Sequence, residues 1–144
     1  MKIVDANVPL YVVNSATEHH RPSRRWLDTE LSGADTVGLA WVSLLAFVRL
    51  TTKVGLFPAP LTPEEATQQV NAWLSAPGAV LANPTPRHAA MIAGLLAGVG
   101  TGGNLVSDAH LAALAIEHRG AIVSYDNNFG RFDGITWLTP RDLL

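Results

Sequence analysis

Short apolar runs that alternate with helical patterns are the feature that most restricts how this chain can fold. The runs favour β-strands, and they lie at 2–4, 36–39, 79–82, 121–125 and 135–138. The segments between them have apolar residues at helical spacing, at 7–14, 22–32, 41–52, 61–76, 87–98 and 107–118. Strands joined through helices pair in parallel and are covered on both faces. The sequence therefore predicts an α/β fold with a mostly parallel sheet of about five strands flanked by helices.

Length and composition restrict the class of protein further. The chain has 144 residues, enough to bury a core, and we expect residues 1–144 to form a single domain. We expect no transmembrane span and no signal peptide, and the absence of cysteine favours a reducing cytoplasm. Charged residues make up only 15% of the chain, so a partner or a second copy is expected to cover part of its apolar surface.

Three aspartates lie where the predicted sheet would present a ligand site. Asp5 ends the first strand, Asp126 follows the fourth, and Asp108 begins the helix that leads into the fourth strand. Ligands of parallel sheets bind beyond the carboxyl ends of the strands. Singly, each aspartate is explained as a helix cap or a turn residue. Together they would repel one another unless a hard cation such as Mg²⁺ or Mn²⁺ joined them, and this second interpretation is the one we favour.

The other candidate motifs are weaker. Residues 98–103 match G-x-G-x-x-G, but a helix precedes them, so we predict a flexible loop. His110 and His118 lie about two helical turns apart and, with Glu117, are predicted to be surface or packing residues. The one basic cluster is either a solvated helix face or a contact for RNA or an acidic partner. It comprises His19, His20, Arg21, Arg24 and Arg25. Arg49, on the apolar helix 41–52, is either a partner contact or a member of a local ion pair.

Three segments together resemble a known family. They are "IVDANVPLYVVN", "WVSLLAFVRLTT" and "GNLVSDAHLAALAIEHRGAIVSYDNNFGRF", and they resemble the PIN-domain toxins of VapBC toxin–antitoxin systems in order and spacing. The resemblance implies a PIN-like three-layer sandwich and an endoribonuclease that uses Mg²⁺ or Mn²⁺ to activate water. It also implies a VapB-type antitoxin, a homodimer, and structured RNA such as tRNA or rRNA as substrate. By position, Asp5, Asp108 and Asp126 match the family's acidic residues, and Asn7 and Ser124 would support them.

Two positions depart from the family pattern. Ala46 stands where the family often has a glutamate, and Asn128 stands where it often has a second terminal acid. Asn128 still offers a carbonyl oxygen, and water can complete an octahedral shell. The sequence therefore leaves two functions open. One is a metal-dependent toxin ribonuclease, and the other is a degenerate PIN-fold protein that binds antitoxin or RNA with little catalysis.

Overall fold

The computed structural model describes residues 1–144, and its sheet consists of five parallel strands. The strands are β1 (Lys2–Val4), β2 (Val37–Leu39), β3 (Ala79–Leu81), β4 (Ala121–Val123) and β5 (Trp137–Leu138). Their order across the sheet is β3-β2-β1-β4-β5. The predicted α/β fold is confirmed. The order also creates a switch point beside β1, because the chain adds β2 and β3 on one side of it and β4 and β5 on the other.

Six α-helices connect the strands. They are α1 (Asn7–Val13), α2 (His20–Thr29), α3 (Trp41–Thr52), α4 (Pro63–Leu74), α5 (His88–Val99) and α6 (Val106–Glu117). Each lies within a few residues of its prediction; the predicted helix 22–32 instead begins at His20 and passes into a π-helical turn, Glu30–Ala34. Thr62 and Glu65 form a capping box at the start of α4, as the "LTPEE" segment indicates. None of the helices is long and apolar enough to cross a membrane.

Alternating residues of the central strands divide the core into two layers. Ile3 and Ile122 are fully buried on the face covered by α5 and α6. Val4 and Val123, one position along each strand, are buried on the other face, against α1 to α4. Successive side chains of a strand point to opposite faces of the sheet, so even a three-residue strand contributes side chains to both core layers. It also fixes the direction of the residues that follow the strands, and these residues form the candidate site.

The end of α6 shows why a glycine precedes β4. Arg119, with φ of 54°, takes the left-handed conformation that ends the helix. Gly120 follows, and a Cβ added there would collide with the backbone carbonyl oxygen of Met1. The glycine is therefore required for the close approach of β4 to β1, whereas Arg119, one residue earlier, has the left-handed conformation that follows the end of the helix.

Candidate active site at the carboxyl edge of the sheet

The parallel pairing of β1 with β4 brings Asp5 and Asp126 to the same edge. Val4 pairs with Val123, and the Asp5 amide donates to the Val123 carbonyl oxygen at 3.0 Å. The two chain segments that leave this edge therefore begin side by side. Asp5 precedes α1, and Asp126 precedes a 3₁₀ turn, Asn127–Arg131.

The Asp5 carboxylate is held by neutral donors. The Ser124 hydroxyl donates to Oδ2 at 2.7 Å, the Asn7 side-chain amide donates to the same oxygen at 3.2 Å, and the Ala6 amide donates to Oδ1 at 2.7 Å. Burial raises the pKa of Asp5, and the bonds from Ser124 and Ala6 oppose that rise. Asp5 does not cap α1, whose first turn has no side-chain cap. The cap interpretation is therefore wrong for this residue.

Ser124 connects the two acidic segments. Its side chain is fully buried, and its Oγ accepts from the Asn7 side-chain amide at 3.0 Å and from the Asp126 amide at 2.9 Å while donating to Asp5. Asn7 adds a second link, since its Oδ1 accepts from the Tyr125 amide at 3.2 Å. One hydroxyl and one amide thus fix the relative positions of Asp5 and Asp126. A residue type without both donor and acceptor could not do this at position 124.

Asp126 caps the turn that follows it and also affects the other two aspartates through its charge. Its Oδ1 accepts from the Asn128 amide at 2.9 Å, so it caps the 3₁₀ turn as the turn interpretation predicts. Its charge also raises the pKa of both Asp5 and Asp108. The turn role and a place in the acidic cluster are therefore compatible.

Asp108 completes the cluster from a different element. It lies in the first turn of α6, half-buried, and does not cap that helix. Burial, followed by the charges of Asp126 and Asp5, raises the pKa of its carboxyl to about 6, while a bond from the Asn128 side chain opposes the rise. A carboxylate with such neighbours is the group in this site that gains most from a nearby cation.

The donor set fits a hard divalent ion, although the side chains are not arranged as a ready chelate. Nowhere in residues 1–144 do three His, Cys, Asp or Glu side chains form a group that could hold a metal ion. The Asp5 carboxylate instead accepts hydrogen bonds from Ser124 and Asn7. The oxygen atoms available are carboxylate, amide and hydroxyl, the types that Mg²⁺ and Mn²⁺ accept. The assignment of Asp5, Asp108 and Asp126 as metal ligands stays a prediction.

Helix α3 contributes a buried hydroxyl that the sequence analysis did not consider. Ser43 lies in its first turn, directly after β2, and its Oγ is buried without a hydrogen-bond partner. Ala46, one turn further, is half-buried rather than enclosed in the core. A single serine among apolar residues, at the end of a strand, was the available signal. Helix α3 contains no aspartate or glutamate, so it provides no carboxylate at the edge of the sheet where it begins.

The predicted basic residues occupy two separate places. Arg21, Arg24 and Arg25 are exposed on α2, whose first turn lies beside Tyr125, at the same edge as the acids. Arg49 lies in the last turn of α3, away from that edge, and is exposed without an ion pair in this chain. The local ion pair considered for Arg49 is therefore absent.

A histidine cluster lies between α5 and α6. The Glu117 side chain is almost fully buried, and its carboxylate lies 2.5 Å from His88 Nδ1 and also accepts from Thr85. His88 Nε2 lies 2.7 Å from His110 Nδ1. His110 and Glu117 have packing contacts, one of the two roles predicted for them, but the sequence analysis missed His88, which joins them from another helix. The cluster fastens α5 to α6.

Comparison with known proteins agrees with this architecture. Residues 2–135 match the family model "PIN domain". The chain is 68% identical to Ribonuclease VapC37 of Mycobacterium tuberculosis over all 144 residues, covering 100% of both chains. It is 36% identical over 140 residues to Ribonuclease VapC33 of the same species, covering 97% of this chain and 98% of the relative.

Solved structures show the same fold at low sequence identity. The structure of VapBC2 from Rickettsia felis bound to a DNA fragment matches with a TM-score of 0.70 and 16% identity, covering 96% of this chain and 97% of the other. FitAcB from Neisseria gonorrhoeae matches with a TM-score of 0.67 and 16% identity, covering 98% and 99%. The match of residues 2–135 to the family model and the 68% identity together show that this chain belongs to the PIN-domain family, among the VapC ribonucleases.

Proposed function

We propose that this protein is a divalent-metal-dependent endoribonuclease that acts as the toxin of a type II toxin–antitoxin system. The observation that carries the chemistry is the environment of the three aspartates: burial, followed by the charges of Asp126 and Asp5, raises the pKa of Asp108 to about 6. Half-buried carboxylates that destabilise one another favour a cation between them. The relatives named ribonuclease VapC support RNA as the substrate.

The side chains of this site have separate tasks. Asp5, Asp108 and Asp126 would hold Mg²⁺ or Mn²⁺, with Asn128 as a further oxygen donor. When bound, such an ion supplies an activated water and positive charge for phosphodiester hydrolysis. Ser124 and Asn7 hold Asp5 in place and tie it to the Asp126 backbone, so that the carboxylates keep their orientation as the ion arrives. Burial of Ser124 keeps its hydroxyl committed to these bonds.

A matched pair of proteins tests this proposal. Cleavage of a broad panel of RNAs, including tRNA and rRNA, would be measured with Mn²⁺, Mg²⁺ or EDTA for the wild type and Asp5→Asn. We expect cleavage by the wild type with metal only, and none by the variant. If the folded wild type binds RNA but cleaves none of the panel with either metal, the protein is instead a degenerate binding member of the family.

We also propose a VapB-type antitoxin as partner, a homodimer as the free state, and a cytoplasmic location. The structural neighbours include a toxin–antitoxin complex from Klebsiella pneumoniae, which matches this chain with a TM-score of 0.66 and 16% identity. Helix α3 supports association, because its apolar Trp41 and Leu45 side chains are 47% and 60% exposed. Light scattering of the purified chain, alone and with a VapB-type antitoxin, tests both associations.

A further inference from the structure

A groove rich in arginine lies beside the acidic site. It is a cavity of about 770 Å³ between α2 and the 3₁₀ turn Pro140–Leu143. We call it the arginine groove, and its polar lining consists of His20, Arg21, Arg24, Arg25, Asp28 and Arg141. Arg141 had no role in the sequence analysis, since it is more than 100 residues from α2 in the chain.

The groove concentrates positive charge on a protein that is negative overall. It contains four of the ten lysines and arginines of a chain whose formal net charge is −2. Its one acidic side chain, Asp28, lies 3.6 Å from Arg24, and both side chains are more than 60% exposed. This exposed pair contributes little energy, and the four arginines of the groove outnumber its single acidic side chain. The other lining residues are Pro22 and Leu144. Protein segments usually bind through an apolar centre, which this groove lacks, whereas a polyanion needs only the charge.

Direct contacts connect the groove to the acidic site. Tyr125 is the residue before Asp126, and its hydroxyl lies 3.1 Å from the hydroxyl of the buried Ser23 in α2. The ring of His19 stacks on Tyr125 with a centroid distance of 4.0 Å. Arg141 donates to the carbonyl oxygen of Glu18 at 3.1 Å, which fixes the C-terminal turn against the entry to α2. Tyr125 therefore lies between Asp126 and helix α2, whose arginines line the groove.

We propose that the arginine groove, including Arg141, binds the phosphates of the RNA strand that flank the bond to be cleaved. This inference rests on the proposed ribonuclease function and adds the path of the substrate. A strand whose scissile phosphate lies at the acidic edge passes along Tyr125 and reaches the guanidinium groups of α2 and the C-terminal turn. Arginine binds phosphate through paired N–H donors, and such contacts position the strand without reading its sequence.

The inference is tested by binding alone, without cleavage. Anisotropy of a fluorescent single-stranded RNA would be measured in EDTA over a range of salt for the wild type and for Arg21→Gln/Arg24→Gln/Arg141→Gln. Each phosphate contact to a single strand contributes a slope of about −0.7 to log K against log salt. We expect the triple variant to flatten the slope by about 2 and to weaken binding at low salt at least tenfold. The double variant Arg21→Gln/Arg24→Gln should show about two thirds of the flattening, even if loss of Arg141 disturbs the turn.

The matched control removes two arginines from the opposite edge of the sheet. Arg87 and Arg119 line a different cavity, near the start of α5 and the end of α6. Arg87→Gln/Arg119→Gln should bind RNA with nearly the wild-type slope. An equal loss in this control, or an unchanged slope in the triple variant, would overturn the inference. It would also be overturned if poly-glutamate displaced the RNA at equal charge concentration, because the groove would then be a site for an acidic protein. Absence of cleavage by the wild type would refute the proposed function but leave these binding results valid.

Discussion

Replacing Asp108 by asparagine should stabilise the metal-free protein while abolishing its activity. The folded state raises the pKa of this carboxyl from its ordinary 3.8 to about 6. The folded protein therefore binds the proton more tightly than the unfolded chain does, and stability falls as the pH rises through this interval. Asparagine keeps the shape of the side chain but has no charge, so the stability of the variant does not fall in this way as the pH rises.

The size of the effect follows from the shift and the exposure of the group. The rise of the Asp108 pKa from 3.8 to about 6 lowers the free energy of unfolding at neutral pH by about 3 kcal/mol at most. Asp108 is only half-buried, so solvent screening reduces this to about 1–2 kcal/mol. For a chain of this length, that gain raises the Tm by about 3–6 °C. At pH 5 the difference between variant and wild type should be about half of that at pH 7.5, because the wild-type carboxyl is then mostly protonated in the folded state.

Thermal melts in EDTA at pH 5 and pH 7.5, followed by circular dichroism, measure this difference. Asp133→Asn is the control, since Asp133 is exposed and should give nearly the wild-type Tm at both pH values. With Mn²⁺ the order should reverse, because the wild type gains binding energy that the variant lacks. A variant less stable than the wild type in EDTA, or a difference independent of pH, would show that Asp108 is not destabilised by its acidic neighbours.

Four further changes test other parts of the molecule. Ser124→Ala removes the donor to Asp5 and should cost about 1.5–3 kcal/mol in urea unfolding, with slower RNA cleavage; unchanged stability would contradict the bridging role. Ala46→Glu should tighten Mn²⁺ binding by calorimetry, and a folded variant with unaltered affinity would place Ala46 outside the metal site. Leu45→Asp should shift the light-scattering mass from dimer to monomer, whereas a wild type already monomeric at micromolar concentration argues against the dimer. Glu117→Gln should destabilise the fold by about 1–3 kcal/mol without altering RNA cleavage, and a specific loss of cleavage would refute a purely structural histidine cluster.

The sequence was sufficient to predict the fold because its signals are local. Apolar runs of three or four residues, separated by helical spacing, indicate parallel strands covered on both faces, and the structure has five such strands. The positions of Asp5 and Asp126 directly after strands were readable for the same reason. Carboxyl ends of parallel strands share one edge, whatever the order of the strands within the sheet.

Contacts between distant segments were not readable in this way. Nothing near Ser124 indicates that its hydroxyl meets Asp5, 119 positions earlier, and nothing near Arg141 indicates that it joins the arginines of α2. The same holds for His88, which reaches Glu117 from another helix. These pairs arise because β1 lies next to β4 and because α5 packs against α6, and both arrangements depend on how all the apolar faces are buried together.

The sequence by itself thus determined the class of fold, the strand ends and the acidic residues placed there, since burial patterns and turn preferences act over a few residues. The tertiary structure alone decided how far Asp108 is buried and that it lies near the other two aspartates, and these two effects together raise its pKa to about 6. It also decided that a turn at the end of the chain completes a groove begun by α2. The physical reason is that electrostatic and hydrogen-bond energies depend on distances through space, which the packing of the complete chain sets.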